Sequence, residues 1–115
     1  MVASNTASID IFERIVSLVH EATGHGVNIM GEGGRILASS DSTRVGTVHE
    51  GGRQVMSGQV EEVAIDAETA ATLRNVKAGY MGAVRVEGKL IACIGIGGEP
   101  AEVKPLQRMA ALALK

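Results

Sequence analysis

Aromatic residues are nearly missing from this sequence: they make up 2% of 115 residues, with one phenylalanine (Phe12), one tyrosine (Tyr80) and no tryptophan. Any core must therefore be packed from Val, Ile, Leu, Ala and Met, and no aromatic platform for stacking bases can be assembled. An excess of either charge is missing too. The formal net charge is −2 and no basic stripe stands out, which argues against direct nucleic-acid binding by this segment. A single cysteine, Cys93, excludes an intrachain disulfide. Its setting, "LIACIGIG", reads as buried strand, hence a structural thiol and not a reactive one. His20, His25 and His49 are scattered, so no metal-ligand spacing is present and neither metal nor cofactor is expected. No apolar run approaches the roughly eighteen residues of a membrane span. The N-terminal "MVASNTASIDIFERIV" lacks the basic region of a signal peptide. The expected compartment is the cytoplasm, with no membrane partner.

What remains is enough for one domain over residues 1–115, long enough to bury a core without staples. Apolar residues reach 45%, too many for a disordered chain. Neither repeat nor linker is visible. Phe12, Ile15, Val16 and Val19 recur at helical spacing, predicting a helix over 9–22 with Ser8 as N-cap and Gly24 as stop. Ile11 and Leu18 widen its apolar face, enough to serve the sheet on one side and a partner subunit on the other. "VNIM" (27–30) and "RILASS" (35–40) predict strands joined through "GEGG", whose glycines supply the positive φ of a tight hairpin. A second helix is predicted over 48–57, ended by Gly58, and a third strand over 61–65. "DAETAATLRN" (66–75) reads as a short helix or structured loop. Strands over 80–86 and 90–97 follow. Leu90 to Ile96 leave neither face polar, so that last strand should be central and covered on both sides. The closing helix takes Pro100 in its first turn, restarts at Pro105, and turns Leu106, Met109, Ala110 and Ala113 inward. It has no glycine stop, as though cut or meant to continue. Hairpins in place of regular βαβ alternation predict an antiparallel sheet with packed helices, an α+β fold.

The stretch "SSDSTRVGTVHEGG" (39–52) is dense in polar residues. Thr47 and Glu50 form the Thr-x-x-Glu pattern of a capping box, with the Thr47 hydroxyl accepting from the amide of residue 50 and Glu50 reaching back. The helix beginning there would present free amides with partial positive charge. Arg44 and His49 flank them, and Gly46 lets the backbone turn. Such a site can hold a carboxylate or phosphate; equally, Arg44 can pair with Asp41 or Glu50 on the surface. Gly51 and Gly52 each cost a helix interior about 1 kcal/mol, which demands either close packing or room for a guest. Lys77 and Gly79 could add a second cation at a strand mouth. Glu61 and Glu62, adjacent on a strand, face opposite sides and make no acid–base pair. "GIGGEP" lacks the features of a nucleotide loop, and no nucleophile–base motif occurs.

"NIMGEGGRILASSDSTRVGTVHEGGRQVMSGQ", with "VKAGY" and "GKLIACIGIGGEPAEVKPL", resembles the sugar-diacid recognition domain of bacterial carbohydrate diacid regulators. The likeness covers nearly the whole chain, and its Arg-hydrophobic-Gly-x-x-His-Glu-Gly core falls on Arg44, Gly46, His49, Glu50 and Gly51, with Lys77 and Gly79 later. Gly31 stands where that family often has Asp, and Gly52 where it often has Ala. The Arg–His pair of extracytoplasmic dicarboxylate sensors is absent, Ile36 and Ser39 standing there instead. The resemblance implies a PAS-like or Cache-like (profilin-like) fold, a five-stranded antiparallel sheet with flanking N- and C-terminal helices. It also implies a cytoplasmic, non-enzymatic sensor of a small carboxylate: glucarate, galactarate or glycerate. Arg44 would grip one carboxylate with help from the amides of Thr47, Val48 and His49. His49 and Lys77 would hold hydroxyls or the second carboxylate, and Asn28 and Ser39 would line the pocket. In that family a helix-turn-helix usually follows. None is expected within this chain, which is either an excised sensor domain or a protein that stands alone, so DNA binding is not expected of it and would belong to a longer parent protein; the terminal helices are expected to form a homodimer. The rival readings are a PAS-like dimerisation module without a ligand, and an enzyme acting on a hydroxy acid, for which no catalytic constellation appears.

Overall fold

The structure, a computed structural model, describes residues 2–73 and 76–115. Helix α1 (Val2–Thr23) is followed by strands β1 (Val27–Met30) and β2 (Ile36–Ser39), then helix α2 (Glu50–Met56) and strand β3 (Glu62–Ile65). The short helix α3 (Ala67–Ala70), the long hairpin β4 (Gly79–Val86) and β5 (Lys89–Gly97), and helix α4 (Pro100–Ala113) complete the chain. The five strands form one antiparallel sheet in the order β2-β1-β5-β4-β3. The α+β prediction is thus met, and β5 is the central strand that its doubly apolar sequence called for.

Period-2 alternation divides the sheet into two faces. Val27, Ile29, Ile94 and Ile96 point to one face, where α1 and α4 cover them with Phe12, Val16, Val103 and Ala110. Met30, Met81 and Cys93 point to the other, under α2, with Ile36, Val55 and Ile65. Each fully buried aliphatic side chain contributes on the order of 1.5–3 kcal/mol. Among the described residues no leucine is fully buried; the expected Leu share of the core is taken by β-branched residues, which suit a pleated surface. Burial pushes the Cys93 thiol up to about 12, in keeping with a structural role.

Several boundaries differ from expectation. α1 begins at Val2 and runs through Ser8, which is therefore not its N-cap, although the Gly24 amide ends the helix by bonding His20 O at 2.8 Å. "GEGG" closes the β1–β2 hairpin through a single 3-10 turn at Glu32–Gly34, with Gly34 at φ +81. Segment 66–75 contains α3, whose N-cap Asp66 accepts from the Thr69 amide at 2.7 Å; Arg74 and Asn75 lie outside the described residues. At the hairpin end of β5, Ile91 is 41% exposed, so cover on both sides holds only from Ala92 onward.

The inner face of α4 is also rotated. Val103, Gln107 and Ala110 are buried, whereas Met109 is 67% exposed and Ala113 lies outside. Gln107 causes the rotation: its Nε2 donates to Gly82 O (3.2 Å) and Ile94 O (3.0 Å), so a polar side chain takes a core position by bonding two strands. Gly82 makes room, since a Cβ there would lie 2.7 Å from Gln107 Nε2. Pro105 is accommodated inside a continuous helix, on its exposed side.

Candidate functional site

The α2 face is not fully packed. Ser39, Asn28, Gly95 and Met81 stand side by side on β2, β1, β5 and β4. Above this row lies a cavity of about 80 Å³, bounded by Asp41 and Arg44, by His49, and by Lys77 and Ala78 ahead of β4.

Arg44 owes its place to a loop stitched onto the sheet edge. Asp41 starts a 3-10 turn over Ser42–Arg44 by accepting from the Thr43 amide (3.1 Å) and hydroxyl (2.6 Å), bonds that hold its carboxyl below the usual range. The chain then folds back along β2: the Gly46 amide donates to Ile36 O and the Ile36 amide to Thr47 O, both at 2.8 Å. Gly46 adopts φ +90, which L side chains rarely tolerate. The Thr47 hydroxyl donates to Arg44 O at 2.6 Å. Arg44 is half-buried; burial draws its pKa down and Asp41 partly offsets this, leaving a permanent cation. With the Asn28 amide oxygen turned toward it, Arg44 Nη1 donates to Asn28 at 3.2 Å while the Asn28 nitrogen donates to Ser39 Oγ.

The capping box predicted at Thr47 does not form. The N-cap of α2 is His49, whose Nδ1 accepts from the Gly52 amide at 3.0 Å, and Glu50 pairs with Arg53. An imidazole nitrogen can accept that bond as a threonine oxygen does, which places the helix start beyond the residue chosen by pattern. Nor can the amides of Thr47 and His49 serve a guest. They donate to Arg44 O (3.0 Å) and Gly34 O (2.9 Å). Two of the three amides expected to bind an anion here are therefore already engaged.

His49 is 2% exposed. Because Nδ1 takes the Gly52 proton, the neutral ring carries its own proton on Nε2. Among the described residues the ring's hydrogen bond is the one it accepts from the Gly52 amide, and the ring lines the cavity. Burial first, and the Arg44 charge second, push its pKa down to about 4. The cavity thus combines a permanent cation and a neutral donor at its inner wall, with Lys77 and the Asp41 carboxylate at its mouth.

Of the sequence candidates, Arg44, His49, Lys77, Asn28 and Ser39 line the cavity; Gly46, Thr47, Val48 and Gly79 do not. Gly46 and Thr47 instead hold the Arg44 loop against β2, and Val48 extends that seam through a bridge to Arg35. Gly79 pairs with Gly97 and Ile65, and a Cβ there would strike Ile96 O. Asp41, Gly26, Gly95 and Gly97 line the cavity as well, beyond the sequence candidates. The "GIGG" run carried the signal for the β5 glycines. In sequence Asp41 reads as a surface partner for Arg44. As for Gly51 and Gly52, close packing answers the question they raise: Cβ atoms there would meet Ile65 Cδ1 at 3.2 Å and Met30 Cγ at 2.7 Å.

Residues 8–115 match the model of the family described as "Putative sugar diacid recognition". The chain belongs to this sugar diacid recognition family. It is similar to the carbohydrate diacid regulator of Escherichia coli K12, with 38% identity over 68% of this chain and 20% of that protein. It is also similar to the uncharacterised protein YsfB of Bacillus subtilis 168, with 33% identity over 90% of this chain and 29% of that one. An uncharacterised Haemophilus influenzae protein is 33% identical over 82% of this chain and 24% of its own length. The chain thus spans less than a third of each of these relatives. In fold it is similar to the cofactor-binding GAF domain of the nutrient sensor CodY from Clostridium difficile. The TM-score is 0.62 at 8% identity, covering 98% of this chain and 92% of that one. That likeness is to a GAF domain, a PAS-like fold, and not to a Cache domain.

Proposed function

We propose that this chain is a non-enzymatic, cytoplasmic sensor domain for a small carboxylated metabolite: a sugar diacid such as glucarate or galactarate, or glycerate. Its readout would be transcription of carbohydrate diacid utilisation through a DNA-binding domain in a longer parent protein. The observation that carries this reading is the meeting of the Arg44 guanidinium with the neutral His49 ring in one cavity. Arg44 presents two parallel donors to a carboxylate, His49 donates to a second oxygen or a hydroxyl, and Lys77 closes the mouth over a further oxygen. Asn28 and Ser39 offer amide and hydroxyl groups to the guest's hydroxyls. Membership of the family and similarity to the diacid regulator support the ligand class. A cavity of about 80 Å³ is small beside typical ligand clefts of roughly 300 Å³ and more. It favours the shorter acids, a longer diacid requiring the mouth to open. A catalytic role is disfavoured because His49 Nδ1 is committed to the helix cap and the Cys93 thiol is pushed up to about 12. In this reading the terminal helices pair two copies, and binding shifts their arrangement.

Calorimetric titration of glycerate, glucarate and galactarate into wild type and Arg44→Ala tests the assignment. A lost charge-assisted pair is worth about 1.5–3 kcal/mol, so affinity should fall by about tenfold or more with the melting temperature nearly unchanged. Equal affinity in both proteins would refute the role of Arg44. A wild type that binds none of the acids yet is dimeric would favour a dimerisation module.

A further inference from the structure

The central strand alternates Ile94, Gly95, Ile96, Gly97. The isoleucines fill the core under α1 and α4, and the two glycines floor the cavity on the opposite face. Bare backbone inside a strand often marks close approach of another group, but the two positions differ in what demands glycine. At Gly95 a Cβ would meet Met81 Cγ at 3.1 Å and Met30 Cε at 3.4 Å, so side-chain packing already favours the smallest residue. At Gly97 the nearest atoms are Ala78 O at 3.7 Å and Gly26 O at 3.8 Å, ordinary contact distances, and its φ lies outside the left-handed region. The fold does not require glycine at 97. A methyl group there would instead stand among Gly26, Ala78 and Gly97, which all border the cavity, and would take up part of its small volume. The buried ring of His49 lines the same space.

We propose that Gly97 is a specificity-determining position: its missing side chain sets how long an acid can lie across the sheet between His49 and the mouth. This rests on the reading of the cavity as a carboxylate site. Arg44 fixes one end of any such guest, so losing it penalises short and long acids alike. A floor that rises at Gly97 penalises them by length. An intruding methyl group in a fitted pocket is worth about tenfold or more in affinity.

The experiment titrates glycerate, tartrate and glucarate by calorimetry into wild type, Gly97→Ala and Arg44→Ala, with thermal melts of all three proteins. Gly97→Ala should fold with a melting temperature at or above that of wild type. It should weaken the longest acid that wild type accepts by about tenfold or more, and shorter acids less. Loss of that longest acid by a smaller factor, equal loss across all lengths, or a Gly97→Ala chain that does not fold overturns the proposal. Wild type that binds none of the three removes the carboxylate site and this inference with it. Binding that survives Arg44→Ala but grades with length in Gly97→Ala overturns only the Arg44 assignment and leaves the floor in place.

Discussion

His49 does two jobs with its two ring nitrogens, and both require the neutral form. Nδ1 must keep its lone pair for the Gly52 amide, and the neutral ring that lines the cavity then carries its proton on Nε2. Its pKa, about 4 against an ordinary 6.5, makes stability depend on pH in a definite direction. Above 6.5 the ring is neutral whether folded or not, and nothing is lost. As pH falls from 6.5 towards 4, the unfolded chain takes up a proton that the folded chain refuses. Stability should then decline by about 1.4 kcal/mol per pH unit, levelling off once the folded ring is protonated as well. Asn at 49 retains an N-cap acceptor without titrating, so His49→Asn should flatten this limb of a urea-denaturation series. Persistence of the limb would place its origin elsewhere. The histidine and arginine were conspicuous in the sequence, but which residue caps α2 was not. Thr-x-x-Glu satisfies the local pattern, and only the His49 amide's bond to Gly34 O, a contact across the hairpin, places the helix start two residues on.

At the scale of elements, the β1–β2 hairpin and α2 are locked together through absent side chains. Gly34 holds φ +81, and a Cβ there would lie 2.5 Å from the Arg53 backbone nitrogen. Gly52 faces Met30 in the same way. Gly34→Ala should therefore destabilise by several kcal/mol, since strain and a main-chain clash add. Gly52→Ala, which meets a flexible methionine, should cost about 1–3 kcal/mol. Denaturation midpoints would check the order, and a reversal would show that Met30 cannot yield. The extent of α4 and the central place of β5 were legible because proline position and a doubly apolar strand are local signals. The inward face of α4 was not, because hydrophobicity ranks Met109 above Gln107. Only the paired carbonyls of Gly82 and Ile94, brought together by strand register, make the glutamine the better core residue. Half of the row Ser39–Asn28–Gly95–Met81 was legible, since Asn28 and Ser39 came with the resemblance; Gly95 and Met81 were not, because only strand register brings β5 and β4 beside them.

For the whole molecule, the most exposed large apolar side chains among the described residues sit on the terminal helices. Leu18 and Met109 are 61% and 67% exposed and border a groove between α1 and α4 that is lined almost wholly by aliphatic side chains. If two copies pair there as proposed, Leu18→Glu with Met109→Glu should convert the dimer to monomer in sedimentation analysis, leaving acid affinity within a few-fold. A mass unchanged by the double substitution would move the contact elsewhere. No described helix is long and apolar enough to cross a membrane.

The sheet itself offers little for such contacts. Its long strands, β4 and β5, lie inside, while both outer strands have only four residues. One of the two is half sheathed: the Ile36 amide and carbonyl are taken by the returning loop. A neighbouring chain seeking to add a strand would find only the β3 margin and the far end of β2, too short to template ordered growth. Ribbon-like stacking into fibrils should thus be disfavoured even when the protein is crowded.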